Sequence, residues 1–236
     1  SDILVCLDDC THVNASRAEQ EASVSRTLAW AARAKASYLA QLKSRKWSDD
    51  DRPLLFAVIQ GGGELDLRRR CAEGLLEIGF DGFGFGGWPL DEESNLLTDI
   101  LEYTRSLIPR EFPIHALGIG HPAGIVTSYR LGYEMFDCAL PTRDARHGRL
   151  YTWSKDHPDL DQDGKWLRFR YINTEENFQD AGPISPDCDC ECCQQYSMAY
   201  LFHLYRMRDS SYSRLATKHN LRFMTRLVER LKDLNV

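Results

Sequence analysis

Three cysteines and one histidine near the C-terminal end of the chain have the side chains and spacing of a metal site. Cys188, Cys190 and Cys193 lie in the stretch C-D-C-E-C-C, and His219 follows 31 positions after the first of them. Zinc takes four such ligands tetrahedrally, and a site filled by four protein ligands is structural rather than catalytic. We therefore predict a structural Zn²⁺ site. Cys192 is an alternative ligand, and the alternative to a metal is a cluster of free or disulfide-paired cysteines.

Three further segments, which we predict to be loops, are candidates for a catalytic or binding site because they combine carboxylates, glycines and basic residues. They are L-D-D-C-T (7–11), V-I-Q-G-G-G with F-G-F-G-G (58–63 and 83–87), and F-D-C-A-L-P-T-R-D-A-R-H-G (136–148). Glycines let a flat ligand approach the backbone closely. Each segment alone also has an ordinary structural explanation, since a strand-end Asp is often a helix cap and paired glycines are often a turn.

Short apolar runs alternate with segments of helical periodicity over the first 140 residues, which predicts an α/β fold with parallel strands. The predicted strands are 3–7, 54–59, 82–85, 114–119 and 135–140. The predicted helices are one that begins at a capping box of Ser16 and Glu19, then 67–78, about 91–108, and one that begins at Pro122. A doubly wound sheet and a barrel both fit this order. We predict a (β/α)8 TIM-type barrel of which this chain holds about five units, with the candidate residues at the carboxyl ends of the strands.

The remaining chain predicts two smaller parts. We expect a partial barrel over 1–150, a β-hairpin insertion over 151–186 and a zinc-binding helical subdomain over 187–236. The hairpin strands are 149–153 and 165–172, and the helices lie near 194–208 and 220–234. The hairpin tip imitates the start of a calcium-binding loop but has Arg170 where a bidentate Glu is required, so we predict a solvated tip.

Composition limits the class of protein. No run approaches the roughly 18 apolar residues of a membrane span, and we expect no signal peptide. Eight cysteines suit a reducing compartment, so we expect a cytoplasmic protein without a membrane anchor. The formal charge of −6 argues against a uniformly basic surface, although a local basic face remains compatible with it. The chain begins with Ser-Asp-Ile-Leu-Val inside a strand-like run, and we expect it to be part of a longer protein.

Taken together, these segments resemble the tRNA-guanine transglycosylase (queuine/archaeosine tRNA-ribosyltransferase) family. The matching stretches are L-D-D-C-T, F-A-V-I-Q-G-G, E-I-G-F-D-G-F-G-F-G-G, M-F-D-C-A-L-P-T-R-D-A-R-H-G-R-L-Y-T, C-D-C-E-C-C-Q-Q-Y-S-M-A-Y-L and K-H-N-L. They follow the family's order and cover nearly the whole chain. The resemblance implies a barrel with a zinc subdomain that exchanges a guanine in tRNA, at the wobble position, for a 7-deazaguanine base.

The resemblance also implies roles for single residues. Asp137 would be the nucleophile that holds the ribose covalently, and Asp8 would accept hydrogen bonds from the N–H edge of guanine. Gln60 and the Gly86–Gly87 backbone would bind the carbonyl of the base. The residues that would line the pocket are Cys10, Leu117 and Gly118. Trp88 and Pro89 depart from the smaller residues of common bacterial members, which leaves the choice of base open.

Other expectations concern partners. Arg143, Arg146 and Arg149 would contact tRNA, with ordinary solvated charge as the alternative. A homodimer is expected because family members commonly dimerise. The family's general acid/base Asp precedes everything in this sequence, so we expect no guanine exchange from this chain alone. The alternatives for the function are a non-catalytic subunit that positions RNA and a divergent member that acts on DNA.

Overall fold

The structure, a computed structural model, describes residues 1–12, 14–154, 159–160 and 164–234. They form two compact units. The first takes Ser1–Ile119 and Ser128–Asp137, and the second takes Gly120–Thr127 and Cys138–Val236. The three-part division at residues 150 and 186 stays a prediction. Within the described ranges, no helix has both the length and the apolar character needed to cross a membrane.

The first unit is built on a five-stranded parallel sheet. Its strands are β1 (Ile3–Val5), β2 (Leu54–Ile59), β3 (Gly82–Phe85), β4 (Ile114–Leu117) and β5 (Met135–Asp137). They are ordered β1-β2-β3-β4-β5, and each neighbouring pair is parallel. The sheet curls into a half-barrel. The right-handed twist of its parallel strands favours this curvature. The predicted α/β class and partial TIM-type barrel are confirmed.

Helices follow each of the first four strands. They are α1 (Arg17–Arg45), α2 (Leu65–Ile78), α3 (Thr98–Ser106) and α4 (Pro122–Arg130). The predicted capping box is present, because Ser16 accepts from the Glu19 amide while Glu19 accepts from the Ser16 amide at 2.7 Å. The prediction for α3 was wrong at its start. Asp91 closes a turn by accepting from the Asn95 amide at 2.7 Å, and the helix begins only after this turn.

The second unit combines a hairpin with helices. Its elements are α5 (Leu140–Arg146), β6 (Arg149–Trp153), β7 (Leu167–Tyr171), a 3-10 helix (Glu175–Gln179), α6 (Glu191–Gln195), α7 (Met198–Arg206) and α8 (Ser210–Asp233). β6 and β7 pair antiparallel, which confirms the hairpin strands. Most of the predicted hairpin tip, residues 155–158 and 161–163, lies outside the described residues.

The helices of this unit differ from the sequence prediction in three places. The helix expected near 194–208 is two helices, since Ser197 caps a new start by accepting from the Tyr200 amide. α8 begins ten residues earlier than the predicted position 220, where Asp209 accepts from the Ser211 amide at 2.8 Å. The P-T-R segment, predicted as a loop, forms the short α5, with Pro141 in its first turn.

Candidate functional site

The candidate pocket residues of the first unit all lie at one edge of the sheet. Because the five strands are parallel, their carboxyl ends share this edge, and this is where barrels place their active sites. The residues at or just beyond the strand ends are Asp8 after β1, Gln60 after β2, Gly86 and Gly87 after β3, Leu117 and Gly118 at β4, and Asp137 at β5. The topology therefore collects side chains that are up to 129 positions apart in sequence.

Asp8 and Gln60 form a hydrogen-bonded pair at this edge. The Gln60 amide nitrogen donates to Asp8 Oδ2 at 2.5 Å, and the Gln60 side chain is fully buried. Its Oε1 has no hydrogen-bond partner among the described residues. The neighbouring Asp9 is bonded instead to α1, where Arg26 donates to its carboxylate at 2.6 Å and Thr27 accepts from its amide at 3.0 Å. Only the first carboxylate of the L-D-D-C-T segment joins the pocket residues.

Gly86 and Gly87 have different roles. A Cβ on Gly86 would stand 2.5 Å from the Gln60 amide nitrogen and 2.8 Å from the Ile59 carbonyl oxygen, so no other residue fits without displacement. The Gly86 amide already donates to Ile59 O at 2.9 Å. Gly87 has a φ of 91°, a backbone conformation that residues with a side chain rarely adopt.

Arg68, on α2, is hydrogen-bonded to both glycine segments, 58–63 and 83–87. It is 1% exposed, and its guanidinium donates to Gly62 O at 2.6 Å and to Gly86 O at 3.0 Å. The guanidinium also lies 4.2 Å above the Phe85 ring. Burial lowers the pKa of Arg68 to about 10, which leaves it charged at neutral pH. A buried cation bonded to main-chain carbonyls is unusual, because buried charges are mostly paired with opposite charges.

Cys10 lies close to Asp8 and Gly87 but is unsuited to nucleophilic attack. Burial raises the pKa of its thiol and Asp8 raises it further, whereas the Gly87 amide opposes the rise. The thiol therefore stays protonated at neutral pH, and the thiolate is the reactive form of cysteine. A protonated thiol is compatible with the prediction that Cys10 lines the pocket.

Asp137 is the exposed carboxylate of this edge. Its side chain is 63% exposed, and its Oδ1 accepts from the Gly118 amide at 3.3 Å. His115 Nε2 lies 3.0 Å from the same oxygen. Both contacts involve Oδ1 and neither involves Oδ2. Leu117 covers Gly84 of β3 and supplies an apolar surface beside the carboxylate.

His115 is neutral at pH 7. Burial lowers its pKa below the usual value, and the opposing effect of Asp137 does not restore it. A neutral imidazole leaves the charge of the Asp137 carboxylate uncompensated. Sequence analysis did not select His115, whose signal was a polar residue inside the apolar run of β4.

The second unit brings the predicted metal ligands together. The donor atoms of Cys188, Cys190, Cys193 and His219 all lie within 4.8 Å of one another, and Cys192 is outside this group. His219 Nδ1 stands 3.3 Å from Cys193 Sγ and 3.8 Å from Cys190 Sγ. Tetrahedral zinc with ordinary bond lengths separates its ligands by about 3.5 to 3.8 Å, so this set of donors fits the ion.

The histidine is oriented for the metal by a strand. Its Nε2 lies 2.8 Å from the Tyr151 carbonyl oxygen, which makes Nε2 the protonated nitrogen. The lone pair of Nδ1 is then available to a metal ion bound by the three cysteines. The next residue, Asn220, accepts from the Tyr151 amide at 3.0 Å and donates to Arg149 O at 3.0 Å. Two consecutive residues of α8 therefore fix β6, a role for Asn220 that sequence analysis missed.

The three arginines expected to contact RNA differ in their surroundings. Arg143 and Arg146 are exposed on α5. Arg149 is bonded to the buried Asp144 at 2.6 and 2.9 Å and lies over the Phe169 ring. The first two are free to meet a phosphate, whereas Arg149 is fixed in the fold.

The sequence of this chain is similar to those of known proteins. Residues 1–234 match the sequence profile described as queuine tRNA-ribosyltransferase. The chain belongs to this family. It is 36% identical over 234 residues to the queuine tRNA-ribosyltransferase of a Psychrobacter species (strain PRwf-1), covering 99% of this chain and 57% of that protein. It is 37% identical over 233 residues to that of Acinetobacter baumannii, covering 99% and 56%. The chain thus spans just over half the length of these queuine tRNA-ribosyltransferases.

Membership of the queuine tRNA-ribosyltransferase family confirms the resemblance drawn from the sequence motifs. The roles of single residues stay predictions. The fold adds two residues to the candidate site that the family's motifs did not indicate here, Arg68 beneath the glycine segments and His115 beside Asp137.

Proposed function

We propose that this chain carries the base-exchange site of an enzyme that replaces a guanine in tRNA with a 7-deazaguanine base. The observation that carries the proposal is the pairing of two unlike carboxylates at one sheet edge. Asp8 is held by Gln60, whereas Asp137 is exposed and oriented by a backbone amide. The names of the relatives support the substrate class. Because the chain spans just over half of those relatives, the activity of the whole protein is part of the proposal.

The held carboxylate suits recognition of the base. The Asp8 carboxylate accepts hydrogen bonds only, which matches the N–H groups on the Watson–Crick edge of guanine. Gln60 uses one amide hydrogen on Asp8 and has a second for the guanine carbonyl. The Gly87 amide is a second donor to that carbonyl. Enzymes read a flipped base in this way, by its hydrogen-bonding edge between apolar surfaces.

The exposed carboxylate suits covalent chemistry. An oxygen of Asp137 forms a bond to C1′ of the ribose as the C1′–N9 bond breaks, and the electron pair leaves with the guanine. The incoming base then attacks C1′ through its own ring nitrogen, loses its proton to solvent or a base, and releases the carboxylate. Two displacements retain the configuration at C1′, as in retaining glycosidases. The departing guanine takes up one proton, and we assign that donor to no residue of this chain.

The zinc site belongs to the architecture and not to this exchange. Cys188, Cys190, Cys193 and His219 would fill all four positions of the ion, which when bound supplies a structural cross-link with no open coordination position. Asn220 and Tyr151 fix the histidine ligand's helix to the hairpin.

Three finer points belong to the same proposal. The guanine lies at the wobble position of tRNA, with Arg143 and Arg146 contacting its backbone. The protein works in the cytoplasm, where zinc thiolates are not oxidised. It forms a homodimer, which sedimentation at micromolar concentration tests.

Replacement of Asp137 tests the proposed function. Labelled guanine incorporation into tRNA is measured for this chain and for a chimera in which it replaces the aligned part of the Psychrobacter relative. We expect Asp137→Asn to abolish incorporation in the chimera, because an amide cannot form the ester to C1′. Asp99→Asn, which removes an exposed carboxylate on α3, is the matched control.

The outcomes separate the alternatives. Undiminished incorporation by Asp137→Asn eliminates the nucleophile assignment. RNA binding without incorporation in any form of the unaltered protein would indicate a subunit that only positions RNA. Incorporation into a DNA hairpin but not into tRNA would indicate the DNA-acting alternative.

A further inference from the structure

A partly buried histidine lies beside the exposed carboxylate of the sheet edge. Across β4 and β5, His115 is opposite Met135 and Leu117 is opposite Asp137. Residues two positions apart on a strand face the same side, so His115 and Asp137 share one face of the sheet. His115 Nε2 lies 3.0 Å from Asp137 Oδ1, which is within hydrogen-bonding distance.

The pair combines an exposed group with a sheltered one. The Asp137 side chain is 63% exposed, whereas that of His115 is 15% exposed. An exposed side chain samples several rotamers, and holding it in one of them costs conformational free energy. The Gly118 amide at 3.3 Å and the His115 imidazole at 3.0 Å both approach Oδ1. A main-chain group and a sheltered ring on the same oxygen restrict the orientation of the carboxylate.

The imidazole is a neutral hydrogen-bond donor at this position. Its Nε2 atom is buried and has no other partner among the described residues. A neutral imidazole carries its proton on one nitrogen, and a carboxylate oxygen at 3.0 Å favours that proton on Nε2. Burial keeps the pKa of His115 below its ordinary value, although the Asp137 charge opposes this effect. At neutral pH His115 can therefore donate to Asp137 without adding a positive charge.

The surroundings of the imidazole leave Asp137 as its titratable neighbour. The residues opposite His115 are Gly84 on β3 and Met135 on β5, and neither side chain titrates. Within the part of the chain that the structure describes, Asp137 is the charged group that shifts the pKa of His115. The charge states of these two residues are therefore coupled to each other.

The base exchange changes the charge on the Asp137 oxygens twice. In the first displacement, the carboxylate donates an electron pair to C1′ and loses its negative charge. In the second, the ring nitrogen of the incoming base bonds to C1′ and loses its proton to solvent, while the ester C–O bond breaks and its electron pair returns to the carboxylate. Donors that are already in place where negative charge develops lower the barrier of such a step. At Oδ1 these donors would be the Gly118 amide and the His115 imidazole.

We propose that His115 is a positioning residue for Asp137, which orients the carboxylate through Oδ1 and stabilises the charge that returns to it when the incoming base takes the ribose. This inference rests on the proposed function, because the carboxylate that His115 orients is the proposed nucleophile. The two displacements then depend on His115 unequally, and the second, in which charge returns to the carboxylate, depends on it more.

Separate rates for the two displacements test this role. The chimera is loaded with a labelled tRNA hairpin without incoming base, and adduct formation and adduct discharge by a 7-deazaguanine base are timed one after the other. We expect His115→Leu, which removes the donor at similar size, to slow discharge about tenfold, the effect of one lost hydrogen bond to a charged group. Formation should slow less, so the adduct accumulates during turnover.

His115→Gln is the rescue variant, because its amide offers a donor near the position of Nε2 and does not titrate. We expect it to restore most of the discharge rate. Acidification from about pH 8 to about pH 5 should slow adduct formation in the unaltered chimera, because a protonated imidazole stabilises the carboxylate and weakens it as a nucleophile. Since burial lowers the pKa of His115, this loss should begin below the ordinary histidine range. His115→Gln should lack it.

Titration of the zinc-loaded chain tests the contact itself without any exchange. Histidine side-chain resonances are followed by NMR against pH, and the resonance of His115 is identified by its absence from His115→Gln. We expect Asp137→Asn to lower the pKa of His115 further, because the Asp137 carboxylate raises it. An unchanged pKa would show that the two side chains do not interact and would overturn the proposal.

His203→Gln is the matched control, since His203 is exposed on α7 of the second unit. Zinc content and melting temperature are compared for all variants. Equal slowing of formation and discharge by His115→Leu, or a discharge rate that His115→Gln does not restore, would overturn the role of His115 and leave Asp137 as the nucleophile. Absence of any adduct in the unaltered chimera would contradict the proposed function, and the role of His115 with it.

Discussion

The two carboxylates of the L-D-D-C-T segment show how neighbours decide the role of a residue. Asp9 is bonded to Arg26 and Thr27 of α1, whereas Asp8 is bonded to Gln60 at the sheet edge. The sequence shows two adjacent aspartates and cannot distinguish them, because the partners lie 17 to 52 positions away. The family resemblance selected Asp8, and the fold supplies a physical reason for this choice.

Arg68 is the residue that sequence analysis could least have found. It stands among three consecutive arginines, R-R-R at 68–70, which look like a solvated basic face. Only the first of them is buried, because it faces the sheet while the other two point outward from α2. Arg68 matters because it donates hydrogen bonds to main-chain carbonyl groups, and the positions of these groups cannot be inferred from the sequence.

Substitution of Arg68 should weaken guanine binding without unfolding the protein. We expect Arg68→Met to lower the affinity for guanine about tenfold, ~1.4 kcal/mol, because Gly62 and Gly86 lose the donor that fixes their carbonyls. Removal of a buried charge offsets part of the lost hydrogen bonding, so the free energy of unfolding should change less. Isothermal titration with guanine gives the affinity.

Arg69→Met is the control for this experiment, since Arg69 is exposed and bonded to Tyr103 on the surface. Equal affinities of the two variants would show that Arg68 does not position the pocket. Arg68→Lys should not restore the affinity, because a single ammonium cannot span carbonyls that a planar guanidinium joins.

At the scale of the elements, the strands were predictable and several helix starts were not. Buried parallel strands appear as short apolar runs, and the runs at 54–59 and 82–85 match β2 and β3 residue for residue. The start of α8 was misplaced because the first ten residues of this helix contain only two large apolar side chains, those of Tyr212 and Leu215. The turn before α3 depends on a side-chain hydrogen bond of Asp91, which periodicity does not reveal.

The folding of the helices in the second unit should depend on bound zinc. We expect about one zinc per chain by elemental analysis, and we expect chelation to unfold the segment that contains α6 and α8 because metal binding contributes directly to folding in such sites. Cys193→Ser should lose the metal and most of the stability of this unit. Circular dichroism and thermal unfolding give the second result.

The Cys192→Ser variant tests whether Cys192 is a zinc ligand or only packs beside the zinc ligands. Cys192 is fully buried beside the cluster but its sulfur is outside the group of donors. We expect this variant to keep its zinc and to lose only packing. A zinc-free wild-type chain that stays fully folded, or loss of zinc by Cys192→Ser alone, would contradict the assigned ligand set.

At the scale of the whole molecule, the two compact units have separate proposed tasks. The first would carry the base pocket and the nucleophile, and the second holds the Cys3His group that would bind the metal. The family and the half-barrel could be predicted from motifs in order along the chain. The bond between Asn220 and Tyr151 could not, because these residues are 69 positions apart in sequence and become neighbours only in the fold.

The central claim is that Asp137 becomes covalently attached to ribose, and trapping the adduct tests it most directly. The chimera is incubated with a labelled tRNA hairpin without incoming base, denatured and analysed by mass spectrometry after proteolysis. We predict an RNA-modified peptide that contains Asp137, absent from Asp137→Asn and discharged when a 7-deazaguanine base is added before denaturation. An adduct on another residue, or exchange that proceeds in Asp137→Asn, would contradict the account.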